Sequence, residues 1–219
     1  MPVTPCLFDQ LLLRTRLKRA LKKGAADFLL ERVADDLELR LQALARSFDT
    51  VADIGTFGPH AALKLVASQR FKQIIRQAPL AEVLGTGTWQ NIVGETSLVP
   101  FAPQSLDAVV SLLAFQWVDD LPGLLIQIKR ALKADGLFIA CLLGGQTLHE
   151  LRESFARAEI ECEGGLSPRV SPFADLRDIG ALMQRAGFAL PVVDTETITV
   201  RYQTPLALFA DLRAMGGTN

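Results

Sequence analysis

Short, nearly unbroken apolar runs alternate along the chain with longer segments whose apolar residues recur every three to four positions. That is the pattern of strands buried on both faces and of amphipathic helices packed against them. Phe8 to Phe48 predicts two helices separated at Gly24, the first led by Leu11, Leu12, Leu13 and Leu17, the second spaced by Phe28, Leu29, Leu30, Val33, Leu37, Leu41 and Leu44. Thr50 to Ile54 predicts a short strand, Gly55 to Gly58 a tight loop, Pro59 to Gln69 a helix with proline in its first turn, and Phe71 to Gln77 the next strand. Glu82 to Gln90 contains two glycines and predicts a broken helix or loop leading into a short strand around Asn91 to Val93.

The stretch from Val93 to Ala140 reads as strand, loop, strand, loop, helix, strand with a polar residue at each strand exit. Asp107 to Leu113 is a buried strand bounded by the turn residues Ala102 to Ser105. Pro122 opens a helix whose apolar face is Leu124, Leu125, Ile128, Ala131 and Leu132, with Asp135-Gly136 as its stop, and Leu137 to Leu143 is a second buried strand. Two such strands joined by one helix form a parallel unit, and ligands of such sheets bind outside the carboxyl ends of the strands. Further on, Leu148 to Ile160 and Ala174 to Ala186 predict helices, Thr195 to Tyr202 alternates like a strand exposed on one side, and Pro205 to Met215 predicts a closing helix. The fold class is α/β, a mostly parallel twisted sheet with helices on both faces. Residues 1–48 form a helical cap, 49–146 the core, and 147–219 a helical insertion, late strand and final helix of the same domain.

With 219 residues, 49% of them hydrophobic, the chain buries a full core, and a formal charge of −1 gives no electrostatic reason to expect a nucleic-acid partner. The one basic cluster, Arg14 to Lys23, reads first as the solvated face of an amphipathic helix. No segment approaches an uninterrupted membrane span, and no apolar signal core opens the sequence, so a cytoplasmic protein without a membrane segment is expected. Cys6, Cys141 and Cys162 have no metal-ligand spacing, and His60 and His149 have no partner carboxylate at recognisable spacing, so neither a metal site nor a histidine-based catalytic centre is indicated.

At the exit of the first predicted strand, Asp53-Ile54-Gly55-Thr56-Phe57-Gly58 has the glycines that let backbone approach a ligand, though many α/β domains need such a turn merely to reverse the chain. It matches neither the full dinucleotide fingerprint nor a nucleoside-triphosphate loop. The combination is more specific: this loop, then Glu95 shortly before Pro100-Phe101, then SLDAVVS, then QWVDDLPGLLIQIKRALKADG, resembles the class I S-adenosylmethionine-dependent methyltransferase superfamily over about Thr50 to Leu143. The resemblance narrows at FDQLLLR from Phe8, LLGGQTLHELRESFARAE from Leu142, EGGLSPRVSPFADLRDIGALMQRAGF from Glu163 and DLRAMGGTN at the end. These strings are similar to the family that includes the arginine-hydroxylase type of mitochondrial complex I assembly factor and the malonyl-carrier-protein methyltransferase of biotin synthesis.

The resemblance implies S-adenosylmethionine as cofactor, with its methionine part at Asp53, Gly55, Thr56 and Gly58. It further implies adenine at Glu95 and Thr96, and a reacting centre bordered by the stretch from Leu112 to Gln116. It implies methyl transfer to an acceptor such as a protein side chain or a carrier-protein carboxylate, with arginine hydroxylation or a cofactor-impaired scaffold as alternatives, and it assigns no catalytic residue. Glu95 can accept from an exocyclic amine, but it is also an ordinary loop acid. The departures lie at Phe57 and Pro59, which put a bulky ring and a lost N–H in the part of the loop that would face the cofactor. They lie also at Arg76-Gln77-Ala78-Pro79, where the family has an acid for the ribose and Glu82 is the nearest carboxylate. Thr147 with Glu150 has capping-box spacing, Arg152 could line the acceptor side, and Trp117 reads as core before lid. Relatives usually continue past the methionine–glycine signature with a last antiparallel strand, so a short or truncated member is expected.

Overall fold

The computed structural model describes residues 6–217. Five parallel strands form one sheet in the order β3-β2-β1-β4-β5: β1 is Phe48–Ile54, β2 Phe71–Ala78, β3 Gln90–Val93, β4 Leu106–Leu112 and β5 Leu132–Cys141. Alternation along each strand divides the core in two. Val51, Ala108, Val110 and Leu112 face Leu30, Val33, Leu37 and Leu41 of α2 (Phe28–Gln42) and Ala61, Ala62 and Leu65 of α3 (His60–Ala67). Ala52, Ile54 and Val109 face Leu124, Ile128 and Ala131 of α5 (Leu121–Ala131) on the other side. A third cluster, Ala78, Leu80, Val83 and Leu84, gathers around the four-residue α4 (Ala81–Leu84) and receives Leu17 and Leu21 of α1 (Gln10–Lys23). The remaining helices are α6 (His149–Glu163), α7 (Leu176–Arg185) and α8 (Pro205–Ala214).

Caps agree with the local chemistry. Asp9 accepts from the amides of Leu11 and Leu12 at the start of α1, and Asp120 from that of Gly123 at the start of α5. The helix expected to run to Asp135-Gly136 ends at Ala131. Leu132 is captured into the ladder opposite Leu106, Lys133 pairs with Asp107 at 2.8 Å, and the register shifts before pairing resumes at Leu137. Asp135-Gly136 therefore marks an irregularity within β5 rather than a helix stop.

Two further expectations fail. Thr195 to Tyr202 forms no strand, because no ladder partner lies beside it. The tie of this region to the body is through side chains, Asp194 to Arg40 at 2.9 Å and Glu196 to Arg32 at 2.5 Å, both on α2. Thr147 caps nothing: α6 starts at His149 behind Leu148, whose backbone is left-handed at φ 55°. Arg152 instead turns back and donates to the carbonyls of Gly145 and Thr147. The last two residues of the DLRAMGGTN string lie outside the described residues. Among the described residues no helix is long and apolar enough to cross a membrane, and Cys6, Cys141 and Cys162 are free thiols, with burial pushing that of Cys141 up to about 11.

The loop after α6 is organised by one carboxylate. Glu159 accepts from the Ser167 hydroxyl at 2.6 Å, the Ser167 amide at 2.8 Å and Arg169 Nε at 2.5 Å, and these donors hold its pKa down at about 2 against an ordinary 4.5. A carboxyl depressed on folding stabilises the folded state above its unfolded pKa, and the effect disappears as pH falls toward the folded value. Melting temperatures of the unsubstituted chain and of Glu159→Gln should therefore differ at pH 7 and converge as pH is lowered from about 4.5 to 2; a constant gap across that window would show that the carboxylate does not hold the loop. In the core, Leu124→Ala removes a fully buried side chain from the α5 face and should cost about 2–5 kcal/mol in urea unfolding.

Candidate functional site at the carboxyl edge of the sheet

The chain runs outward from β1 through β2 to β3, then returns to β4 on the other side of β1, so the strand order reverses between β1 and β4. A crevice at that reversal is where open α/β sheets bind ligands. The two strand ends are stitched together there: Ser111 Oγ donates to the Ile54 carbonyl at 2.7 Å, and the Leu112 amide donates to Thr56 Oγ1 at 3.0 Å. Gly55 and Gly58 take φ of 79° and 89°, which side chains rarely adopt. A Cβ on Gly55 would lie 2.6 Å from Thr96 Cγ2 and 2.9 Å from Ala114 Cβ, so the exits of β1, β3 and β4 meet at this glycine.

Of the residues singled out from the sequence, Asp53, Gly55, Thr56, Gly58, Thr96 and Gln116 converge on this edge together with Glu95. Leu112 contributes its amide, while its side chain belongs to the core. Gln116 donates to the Leu113 carbonyl at 2.8 Å. Glu95 forms an ion pair with Arg14 of α1, which brings that helix over the edge. Gln77, at the end of β2, holds the following loop by donating to the carbonyls of Glu95 at 2.8 Å and Leu98 at 2.6 Å. The half-buried Phe57 ring packs against the cluster of Ala78, Leu80, Val83 and Leu84 and against the core beneath α2 and α3. Glu82 pairs with Lys18 at 3.5 Å on the exposed flank. Trp117 is half-buried, 5.6 Å from the Phe8 ring and 6.4 Å from that of Phe173. His60 is not isolated, since Asp27 Oδ2 lies 3.3 Å from its Nε2.

Sequence reasoning missed the centre of the arrangement. Asp53 and Arg76 stand opposite each other in the β1–β2 register, each 1% exposed, with Arg76 Nε 3.0 Å from Asp53 Oδ2. Burial pushes the Asp53 carboxyl above its usual range, while the Arg76 charge and the Thr56 hydroxyl act the other way. The available signal was a cation inside an apolar strand, FKQIIRQ, matched by an acid inside TVADI.

Polar satisfaction separates this edge from the rest of the molecule. Among the described residues, five buried side-chain polar atoms lack a hydrogen-bond partner: Arg14 Nε, Asp53 Oδ1, His60 Nδ1, Gln77 Oε1 and Gln116 Oε1. All five sit at the carboxyl edge or on the helix starts and loops that flank it. Buried polar atoms are rarely left so, and a cluster of them at a strand edge fits a polar ligand.

Residues 55–140 match the family model of a methyltransferase domain. Over its whole length the chain is 33% identical to malonyl-[acyl-carrier protein] O-methyltransferase 1 of Coxiella burnetii, covering 75% of that protein. The chain belongs to this methyltransferase family. The methyltransferase-like chain is also 39% identical to the mitochondrial arginine-hydroxylase NDUFAF5 of Mus musculus over 93% of its own length, and it spans 63% of that relative. A solved S-adenosylmethionine-dependent methyltransferase from Thermotoga maritima shares the fold, with a TM-score of 0.58 at 21% identity over 81% of each chain.

The convergence at Gly55 has a mechanical consequence. Gly55→Ala combines a strained φ with overlap against Thr96 and Ala114 and should destabilise by about 1–3 kcal/mol in denaturant unfolding. A fully stable alanine variant would mean that the three strand exits are not packed together as described.

Proposed function

We propose that the chain binds S-adenosylmethionine across the carboxyl ends of β1 and β4 and transfers its methyl group to an acceptor carried by a protein or a carrier protein. The observation that carries this reading is the set of unpartnered buried polar atoms at that edge, Asp53 Oδ1, Gln77 Oε1 and Gln116 Oε1, with Arg14 Nε and His60 Nδ1 on the helices that flank it. The donor set suits the cofactor. Glu95 offers an acceptor for an exocyclic amine, Arg14 a cation for a carboxylate, and the Gly55–Gly58 loop a close backbone approach. When bound, S-adenosylmethionine supplies an electrophilic methyl group on a sulfonium. The chain's own part is to orient the ligand, through Glu95 and the loop, and to keep water from the reacting side with Gln116 and the Trp117 ring. Positioning of this kind needs no acid–base residue at the reacting atoms.

A second reading, hydroxylation of a protein arginine, is favoured by the 39% identity to NDUFAF5. Mass spectrometry of the acceptor separates the two, since one adds a methyl group and the other an oxygen atom. Calorimetric titration with S-adenosylmethionine and S-adenosylhomocysteine tests the cofactor itself, and no heat at millimolar ligand would sink the proposal. Where binding is measured, Glu95→Ala should weaken it by about 1.5–3 kcal/mol, the worth of a hydrogen bond to a charged group.

A further inference from the structure

A guanidinium has five N–H donors, and Arg76 uses each of them on a different acceptor. Nε meets Asp53, one terminal nitrogen meets the carbonyls of Val83 and Leu84, and the other meets the carbonyls of Thr56 and Gly58. The Trp89 ring centre lies 5.8 Å from the guanidinium carbon, and its indole N–H reaches the Leu84 carbonyl at 3.4 Å. One side chain thus ties the glycine loop after β1 to the end of α4 and to the stretch that leads into β3.

The direction of these bonds matters for the loop. Every described peptide is trans, so a carbonyl turned in toward Arg76 turns the following amide the opposite way. The Thr56 carbonyl points in, which sends the Phe57 N–H away from the guanidinium; the Gly58 carbonyl points in, and the next residue, Pro59, has no N–H to present. The loop that lacks a glycine at Phe57 and at Pro59 is therefore held in shape from below by a cation.

We propose that Arg76 is the positioning residue of the cofactor edge, fixing the Gly55–Gly58 loop in its ligand-ready form although its own side chain, 1% exposed and fully engaged, reaches no ligand. The proposal rests on the cofactor reading above. It predicts that ligand affinity follows the guanidinium's contacts with the loop carbonyls rather than the presence of a positive charge at this point. Lysine keeps the charge but offers three donors from one point, so it cannot bridge Asp53, the loop and α4 together.

The test uses the double variant Asp53→Asn/Arg76→Met, which removes both buried charges at nearly constant volume, and Arg76→Lys, which keeps the cation. Three quantities are measured: melting temperature, hydrogen exchange of the amides at 55–58 in the ligand-free protein, and calorimetric affinity for S-adenosylhomocysteine. The double variant should melt within a few degrees of the unsubstituted chain, exchange faster at the loop and bind at least tenfold more weakly; Arg76→Lys should likewise lose affinity. Unchanged loop exchange and unchanged affinity in a folded double variant, or full affinity in Arg76→Lys, would overturn the role of Arg76. Absence of binding by the unsubstituted chain would instead fell the cofactor reading, and the ligand-free exchange measurement still decides the loop, so the two failures are told apart.

Discussion

The buried pair of Asp53 and Arg76 is the interaction on which the rest of the edge depends. Two charges removed from water are costly unless geometry and further hydrogen bonds compensate, and replacement of such pairs by apolar residues is often neutral. Its value here is specificity. The guanidinium, carried on β2, is satisfied only when β1, the glycine loop and α4 stand where they do, because its five acceptors come from those three places. A slip of either strand would leave a buried charge with carbonyls missing, so the pair selects one register and one loop conformation together.

From that anchor the edge is built outward. Thr56, whose carbonyl faces Arg76, takes the Leu112 amide on its hydroxyl and thereby fastens β4 to the loop. Gly55, one residue earlier, donates its amide to the Gln77 carbonyl at 2.7 Å and meets Thr96 and Ala114 at its α-carbon. Gln77 in turn holds Glu95 and Leu98 through its side chain. Backbone groups are consumed in this stitching, whereas one buried oxygen each of Asp53, Gln77 and Gln116 is not. The same construction that makes the edge rigid leaves a set of acceptors for something polar.

Much of this was legible in the sequence where one local rule dominates. Apolar runs in DAVVSLL and LFIACLL, and the three-to-four spacing after Pro122, gave the parallel unit because each element is buried on the face its period describes. Elements that depend on partners were not legible. The alternation in TETITVRY has strand character, but a strand exists only beside another strand, and here acidic side chains at Asp194 and Glu196 tie the segment to α2 instead. Thr147 had cap spacing, yet Leu148 in a left-handed conformation shifted the helix start past it. Phe57 stood out in the sequence as a bulky ring within the glycine loop; in space it packs against both the cluster of Val83 and Leu84 and the core beneath α2 and α3. The pairings Asp53–Arg76 and Arg14–Glu95 join residues 23 and 81 positions apart, which no local period reports.

The ion pair of Arg14 with Glu95 places a competitor on the carboxylate expected to recognise the cofactor's amine. The balance of magnitudes favours the ligand. Both side chains are 33% exposed, and an ion pair in that setting contributes only about 0–1 kcal/mol. A hydrogen bond from a bound amine to an ionised acceptor contributes about 1.5–3 kcal/mol, and Arg14 keeps an alternative use for its charge on the ligand's carboxylate. The helix that carries Arg14 buries little of itself, with Ala20 its one buried residue, so a change of partner at its first turns disturbs little core. Arg14 is thus held on Glu95 by a contact weak enough to be exchanged, while the Gly55–Gly58 loop is fixed by one that is not.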